Sequence, residues 1–206
     1  MNTASETVTT TIDLLRHGQC EGGEIFRGST DVVLTDNGWG QMRESIQGSI
    51  PWQQIVASPL LRCRQFAEQL AEQRALPLTT FDAFREIHFG DWEGRLHSDI
   101  QNSNGDLLKQ FWNDPLNCTP PNGEPIVDFQ TRVMTCFEQL LDQLRGQHWL
   151  LVSHGAVMRI IMCSLLKMPL SSISNIAIPY ACLSRFRIYE TPNEQPWIQL
   201  CFHRGE

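Results

Sequence analysis

Two short stretches of the sequence end alike, Leu14-Leu15-Arg16-His17-Gly18 and Leu151-Val152-Ser153-His154-Gly155. In each, an apolar run stops at a polar residue, a histidine and a glycine. Imidazole is a nucleophile and an acid or base near neutral pH, and a glycine at a strand exit lets the backbone turn sharply toward a ligand. A single such histidine is most simply a hydrogen-bonded residue capping a strand. Two in matched contexts point to chemistry, provided the fold brings them together. A cation for an anionic ligand is available at Arg62 or at Arg64, just after Ser58-Pro59. Periodicity does not choose between them, because both flank the same apolar stripe, and an arginine solvating a helix face is the simpler explanation of either. Candidate proton donors stand in Phe84-Arg85-Glu86-Ile87-His88-Phe89-Gly90-Asp91-Trp92-Glu93-Gly94, where Glu86, Asp91 and Glu93 alternate with aromatic residues. Trp92 and Phe89 are expected to anchor that segment by packing, and nothing within it ranks the three carboxylates.

These residues need elements to position them. Thr11–Leu15, Gln54–Ala57 and Trp149–Val152 are compact apolar runs, as buried parallel strands are. Ser58 and Pro59 suit an N-cap and first helical position, and Leu60, Cys63, Phe66, Ala67 and Leu70 then fall on one stripe. Ile126, Phe129, Val133, Phe137, Leu140 and Leu144 recur at helical spacing and give the clearest amphipathic helix. Ala156–Leu166 reads as another, and Thr35–Ile46 as a weaker one, diluted by Gly38 and Gly40. Leu183–Tyr189 and Trp197–Phe202 read as late strands that pair as a hairpin. This alternation predicts an α/β fold, a three-layer α/β/α sandwich with a mostly parallel central sheet and ligands beyond the carboxyl ends of the strands. Both histidines then share one sheet edge. The stretch from about 85 to 125, rich in Gly, Asn, Asp, Trp and Pro, has a short helical pattern near Leu107–Trp112. It is expected to be a loop-rich lid within a single domain spanning 1–206.

Composition narrows the partners. A hydrophobic fraction of 41% in 206 residues supports a sizeable core, while a net charge of −7 argues against nucleic acid or an anionic membrane. Only Lys109 and Lys167 among the 16 basic residues are lysine, and the planar fork of arginine suits phosphate and carboxylate oxygens. The seven cysteines show no C-x-x-C or zinc-knuckle spacing and are expected to be reduced and mostly buried. Met1–Thr11 has neither basic residues nor an apolar stretch, and the apolar-rich Ala156–Leu166 is too short to span a bilayer, so a cytoplasmic location is expected.

Taken in order, Arg16-His17-Gly18, Leu34-Thr35 with Gly38, Ser58-Pro59-Leu60 with Arg62, Glu86 with Phe89-Gly90 and Trp92-Glu93-Gly94, and Ser153-His154-Gly155 resemble the histidine phosphatase superfamily, also called phosphoglycerate-mutase-like. The series covers nearly the whole chain. The resemblance implies a phosphate-transfer enzyme without metal or other cofactor, acting on a small phosphate monoester. It implies that His17 is the phosphorylated nucleophile, that Arg16, Arg62 and His154 form the phosphate pocket, and that Glu86 is the general acid and base. Within the family, Phe26-Arg27-Gly28-Ser29-Thr30-Asp31 with Gly38-Trp39 and Gln41-Met42-Arg43, and Asn122-Gly123-Glu124 with Phe129 and Arg132-Val133, look most like α-ribazole phosphatases, which act late in cobalamin synthesis. Where many relatives have Thr and Asn three and six positions after the nucleophile, this chain has Cys20 and Gly23. Arg27 is the candidate to compensate in the phosphate pocket. The competing expectations are a phosphoglycerate mutase or broad sugar-phosphate phosphatase of the same fold, a metallohydrolase using His17, His154 and His88, and a non-catalytic phospho-ligand binding module.

Overall fold

The site is built on β1 (Val8–Arg16), whose β-branched start favours extended backbone and whose Ile12, Leu14 and Leu15 are completely buried. A computed structural model of the chain describes residues 6–48 and 50–205. Residues 1–5, part of the stretch expected to lack a secretory signal, lie outside the described residues. The other strands are β2 (Gln54–Ala57), β3 (Leu78–Thr80), β4 (His148–Ser153), β5 (Leu183–Glu190) and β6 (Trp197–Arg204), in the order β3-β2-β4-β1-β5-β6. β3, β2, β4 and β1 run parallel to one another, and β5 runs antiparallel to both β1 and β6. The predicted hairpin is therefore present, and only β5 breaks the parallel sense.

Among the described residues four α-helices cover the sheet, α1 (Asp36–Ser45), α2 (Leu61–Arg74), α4 (Ile126–Gln143) and α5 (Gly155–Leu165), and α3 (His97–Asn113) lies apart from it. One face packs Ile12, Leu14, Val56, Trp149 and Leu151 against α4 and α5. The other packs Leu15, Ile55, Ala57, Leu150 and Val152 against α1 and α2. This is the predicted three-layer sandwich. The stripe on α4 buries Ile126, Phe129, Val133, Phe137 and Leu140, each contributing about 1.5–3 kcal/mol against the entropy of ordering it.

Three local expectations are corrected. α2 starts at Leu61, not Pro59, and Ser58 is not its cap; the Leu61 N–H donates to Asp31 Oδ1 at 2.7 Å, so a carboxylate from another loop serves the helix end. The Ser58 hydroxyl instead accepts the Leu60 N–H at 3.3 Å, just ahead of the helix, and pairs with His154. The stretch 85–125 holds a 17-residue helix rather than a short one, interrupted at Asn104 where φ and ψ are −142° and 35°. The polar run Gln101–Gly105 hides its periodicity, and its apolar side closes on a separate small core of Phe26, Trp92, Ile100, Leu108, Phe111 and Cys118. Trp92 and Phe89 do anchor their segment by packing, as expected. The three-residue β3 carries two exposed threonines and no apolar pattern that reveals it.

One buried carboxylate sets the neighbours of β1 in register. Asp13 is completely buried; Arg185 on β5 donates to it at 2.7 and 2.8 Å, the Trp52 indole at 2.8 Å and the His148 ring at 3.0 Å. Burial alone raises a carboxyl pKa, but these donors, led by Arg185, hold Asp13 below its ordinary range. The network ties β1 to β5, to the start of β4 and to the entry of β2. Asp13→Ala leaves a mostly buried guanidinium and an indole N–H without their acceptor, so unfolding in urea should show a loss of about 3–5 kcal/mol. A loss below about 1 kcal/mol, the range of an exposed ion pair, would mean that the network does not hold the register.

Candidate functional site

The site begins with the parallel register of β1 and β4, in which Arg16 stands opposite Ser153. The His17 N–H donates to the Ser153 carbonyl at 3.0 Å, so the residue after each pair, His17 and His154, emerges at the same sheet edge. Their ring centroids are 5.3 Å apart and meet edge to face. The convergence expected of the two matched strand ends is present.

His17 is 4% exposed, and its Nδ1 lies 2.8 Å from the Gly18 carbonyl. A carbonyl only accepts, so Nδ1 carries the proton and Nε2 keeps its lone pair. Cys20 Sγ lies 3.4 Å from Nδ1 and also donates to the Gly18 carbonyl. Burial, then the charges of Arg62 and Arg16, push the His17 pKa well below its ordinary value, which keeps the ring neutral. The turn that holds this geometry depends on two glycines. A Cβ on Gly18 would stand 2.2 Å from the Gly38 carbonyl oxygen, and one on Gly38 would stand 2.0 Å from the Gln19 carbonyl oxygen. Gly38, which weakens α1 by propensity, is what lets the first turn of that helix pack on the turn that carries His17; the Thr35 hydroxyl, accepting the Gly38 N–H at 2.9 Å, caps it there.

His154 is completely buried. Arg62 Nε donates to its Nδ1 at 3.2 Å, so its Nε2 carries the proton and donates to Ser58 Oγ at 2.7 Å. Burial, then Arg62 and His17, also hold the His154 pKa well below its ordinary value. Arg62 and Arg64 lie in different surroundings. Arg64 reaches Glu68 on the surface, whereas Arg62 is completely buried and donates to the carbonyls of Thr30, Gly28 and Arg27 as well as to His154. Those carbonyls are held in turn by Glu93, whose carboxylate accepts the N–H groups of Gly28, Ser29, Thr30 and Phe89 and the Thr30 hydroxyl. Burial opposes ionisation of Glu93, but these bonds prevail and lower its pKa. Glu93 is thus a strut for the loop that grips Arg62, and Asp91 pairs with Asn122 on the surface.

Glu86 is the carboxylate that enters the site. A cavity of about 330 Å³ beyond the strand ends is lined by Arg16, His17, Arg27 and Glu86, together with Arg159 and Tyr180. Apolar lining comes from Phe26, Phe89, Phe111, Trp112 and Ile173. Glu86 Oε2 accepts the Ala156 N–H at the start of α5 at 3.1 Å, and Arg132, paired with Glu124 at 2.6 Å, donates to the Glu86 carbonyl at 3.2 Å. Of the six residues expected at the site, Arg16, His17, Arg27 and Glu86 line this cavity, while Arg62 and His154 stand behind His17. Arg27 Nη2 donates to the carbonyls of Glu21 and Gly23, both at 2.8 Å, so it ties down the loop in which Gly23 takes a positive φ of 69°. His88 pairs with Ser29 and Glu93, and no group of three or more His, Cys, Asp or Glu side chains poised to hold a metal ion occurs among the described residues. All seven cysteines are free, six of them buried. No helix among the described residues is long and apolar enough to cross a membrane.

Arg159 and Tyr180 were not expected from the sequence. Arg159 follows Gly155 by four residues and so shares its helix face, a spacing that could have flagged it. Tyr180 precedes β5, and an antiparallel neighbour of β1 has to begin beside the strand end where His17 emerges.

The family model of the histidine phosphatase superfamily (branch 1) matches residues 12–198. An adenosylcobalamin/alpha-ribazole phosphatase from Salmonella typhimurium is 30% identical over 181 residues, covering 86% of this chain and 90% of the relative. A 2,3-bisphosphoglycerate-dependent phosphoglycerate mutase from Rhizobium etli is 29% identical, with 86% and 90% covered. The solved alpha-ribazole phosphatase of Shigella flexneri superposes with a TM-score of 0.78 at 25% identity, covering 92% of this chain and 95% of that one.

Two buried neutral histidines make stability depend on pH in a definite direction. The unfolded chain takes up protons on them as pH falls through about 6.5, and the fold refuses those protons, so stability is complete above that value and is lost below it. In phosphate-free buffer, urea unfolding between pH 8 and 5 should show a plateau above 6.5 and then a fall approaching about 1.4 kcal/mol per pH unit for each histidine. His17→Gln should make that fall shallower by one proton. A wild-type stability that stays level from pH 6.5 to 5 contradicts the buried neutral state.

Proposed function

The chain belongs to the histidine phosphatase superfamily and is a phosphoric monoester hydrolase, and we propose that it removes the phosphate of α-ribazole 5′-phosphate, or of adenosylcobalamin 5′-phosphate, in cobalamin nucleotide-loop assembly. The observation that carries the substrate is the composition of the cavity. One end presents the neutral nitrogen of His17 beside Arg16, Arg27 and Glu86; the wall supplied by α3 and the turn at Leu170–Asn175 presents Phe111, Trp112 and Ile173. A flat aromatic base on the leaving alcohol packs against such a wall. The Salmonella relative's name agrees with this reading.

The proposed chemistry has two steps. A phosphate monoester is already anionic, so the enzyme has to position it and balance the charge on its equatorial oxygens; Arg16 and Arg27 do this from the cavity wall, and Arg62 and His154 support it from behind. His17 Nε2 attacks phosphorus in line, the P–O ester bond breaks, and Glu86 gives its proton to the departing alkoxide. With the alcohol gone, the Glu86 carboxylate takes a proton from a water whose oxygen attacks phosphorus. The P–N bond breaks, phosphate forms and neutral His17 is restored. Each residue returns to its starting state without a metal, in an enzyme proposed to work in the cytoplasm.

A substrate panel after exhaustive chelation tests this. The expected result is a kcat/KM for α-ribazole 5′-phosphate at least about tenfold above those for 3-phosphoglycerate, phosphoserine and sugar phosphates, a gap of about 1.4 kcal/mol. Trp112→Ala should raise the KM for α-ribazole 5′-phosphate roughly two- to tenfold, the worth of one aromatic contact, and leave glycerol phosphate unaffected. Preference for phosphoglycerate or phosphoserine would overturn the substrate, mutase activity would place the chain with the mutases, and loss of turnover on chelation would overturn the metal-free mechanism.

A further inference from the structure

The segment 178–182 is tied to the end of β1 by more bonds than a connection into a strand requires. Arg16 Nη1 donates to the Ile178 carbonyl, the Arg16 N–H donates to the Cys182 carbonyl at 3.0 Å, and the Ala181 N–H donates to the His17 carbonyl at 3.1 Å. Holding this wrap puts Ala181 at φ 54°, a left-handed conformation that a residue with a Cβ seldom adopts. Such strain persists only where surrounding structure over-determines it, and here it sets Tyr180 against the reactive end of the cavity. The Tyr180 ring lies under the Arg16 guanidinium, with Cζ 4.4 Å from its centroid, and 5.8 Å from the His17 ring. Tyr180 makes no side-chain hydrogen bond among the described residues, so the ring face is its contribution.

The stacked guanidinium has donors to spare. Nη1 is committed to Ile178, but Nε is buried without a partner among the described residues. Nε lies 3.5 Å from where a Cβ on Gly155 would stand, over the first residue of α5. An uncompensated buried donor is costly, and here it faces the end of a helix that itself favours an anion. An aromatic face attracts a cation lying flat on it and so fixes the plane of the guanidinium, hence the direction of its free N–H groups.

We propose that Tyr180 is a positioning residue for phosphate: its ring holds the Arg16 guanidinium in the orientation that offers Nε and Nη2 to the phosphoryl oxygens of the substrate. The inference rests on His17 as the phosphoryl acceptor but not on which alcohol the substrate carries. Tyr180 acts through Arg16, on whose guanidinium its ring is stacked.

The probe is inorganic phosphate, with its dissociation constant measured by calorimetry on the full-length protein. Tyr180→Leu should weaken phosphate binding roughly five- to thirtyfold, the range of a partly desolvated cation–π contact, and should raise KM for a generic aryl phosphate more than it lowers kcat. Tyr180→Phe keeps the ring and should restore binding to within about twofold of wild type. In an Arg16→Lys background, where no planar fork remains to be oriented, Tyr180→Leu should add less than about twofold. Tyr180→Met, unbranched and adaptable, replaces Tyr180→Leu if that variant does not fold. The proposal is overturned by near-wild-type phosphate affinity without the ring, by a Tyr180→Phe protein as weak as Tyr180→Leu, or by an undiminished effect in the lysine background. Failure of the phosphohistidine reading would show separately, as wild-type protein that binds phosphate but neither turns over aryl phosphates nor becomes labelled.

Discussion

The parallel pairing of β1 with β4 is the constraint on which the rest of the site depends. Because Arg16 stands opposite Ser153, the His17 N–H reaches the Ser153 carbonyl and the two histidines leave the sheet side by side. A slip of one residue would send every side chain of a strand to the opposite face and separate the rings. Asp13 guards against that slip from within the sheet, binding side chains from β4, β5 and the entry to β2 around a single carboxylate. At the other end of the strand, Gly18 and Gly38 allow α1 to abut the turn that carries His17.

The electrostatics follow from this placement. The chain as a whole carries a net charge of −7, yet Arg16, Arg27, Arg62 and Arg159 gather around the ends of β1 and β4. Buried and partly buried charges of one sign are tolerated when their donors are occupied: Arg62 is satisfied by three loop carbonyls and His154, Arg27 Nη2 by two carbonyls and Arg159 Nε by Ile176, while Nε of Arg16 and of Arg27 has no partner among the described residues. Burial first, and then the charge of Arg62 with that of Arg16 behind it, holds both imidazoles well below their ordinary pKa. A chain of supports runs from Glu93 through the loop at 28–30 to Arg62, then to His154, which packs against His17. The site therefore depends on residues outside the lining of the cavity.

The sequence made some of this legible and hid the rest for physical reasons. β1, β2 and β4 are buried on both faces, so they read as continuous apolar runs, and two of them end in a motif that marks the site directly. α4 was clear because one side of it meets the core along its whole length. β3 was hidden because its threonines face solvent, and most of α3 because its polar run faces outward and its apolar side closes on Phe26 and Trp92, far away in the chain. Arg62 and Arg64 were equivalent by period because what distinguishes them is a loop about 32–35 residues upstream. Glu86 could not be told from Glu93 locally for the same reason, since the partners of Glu93 are the amides of residues 28–30. Ser58 looked like a helix cap, and only the tertiary fold gives its hydroxyl to His154. Tyr180 carries no local pattern at all, and its place follows from topology, three residues ahead of the strand that pairs antiparallel with β1.

The central claim is that His17 attacks through Nε2 because the Gly18 carbonyl holds the proton on Nδ1. The direct measurement is to quench the enzyme during turnover of a phosphate ester, map the acid-labile label by mass spectrometry and assign the bonded nitrogen by phosphorus NMR. The account predicts a single phosphohistidine at His17, bonded through Nε2. A label on His154, a bond through Nδ1, or turnover with no histidine label under conditions that trap the intermediate in a known family member would contradict it.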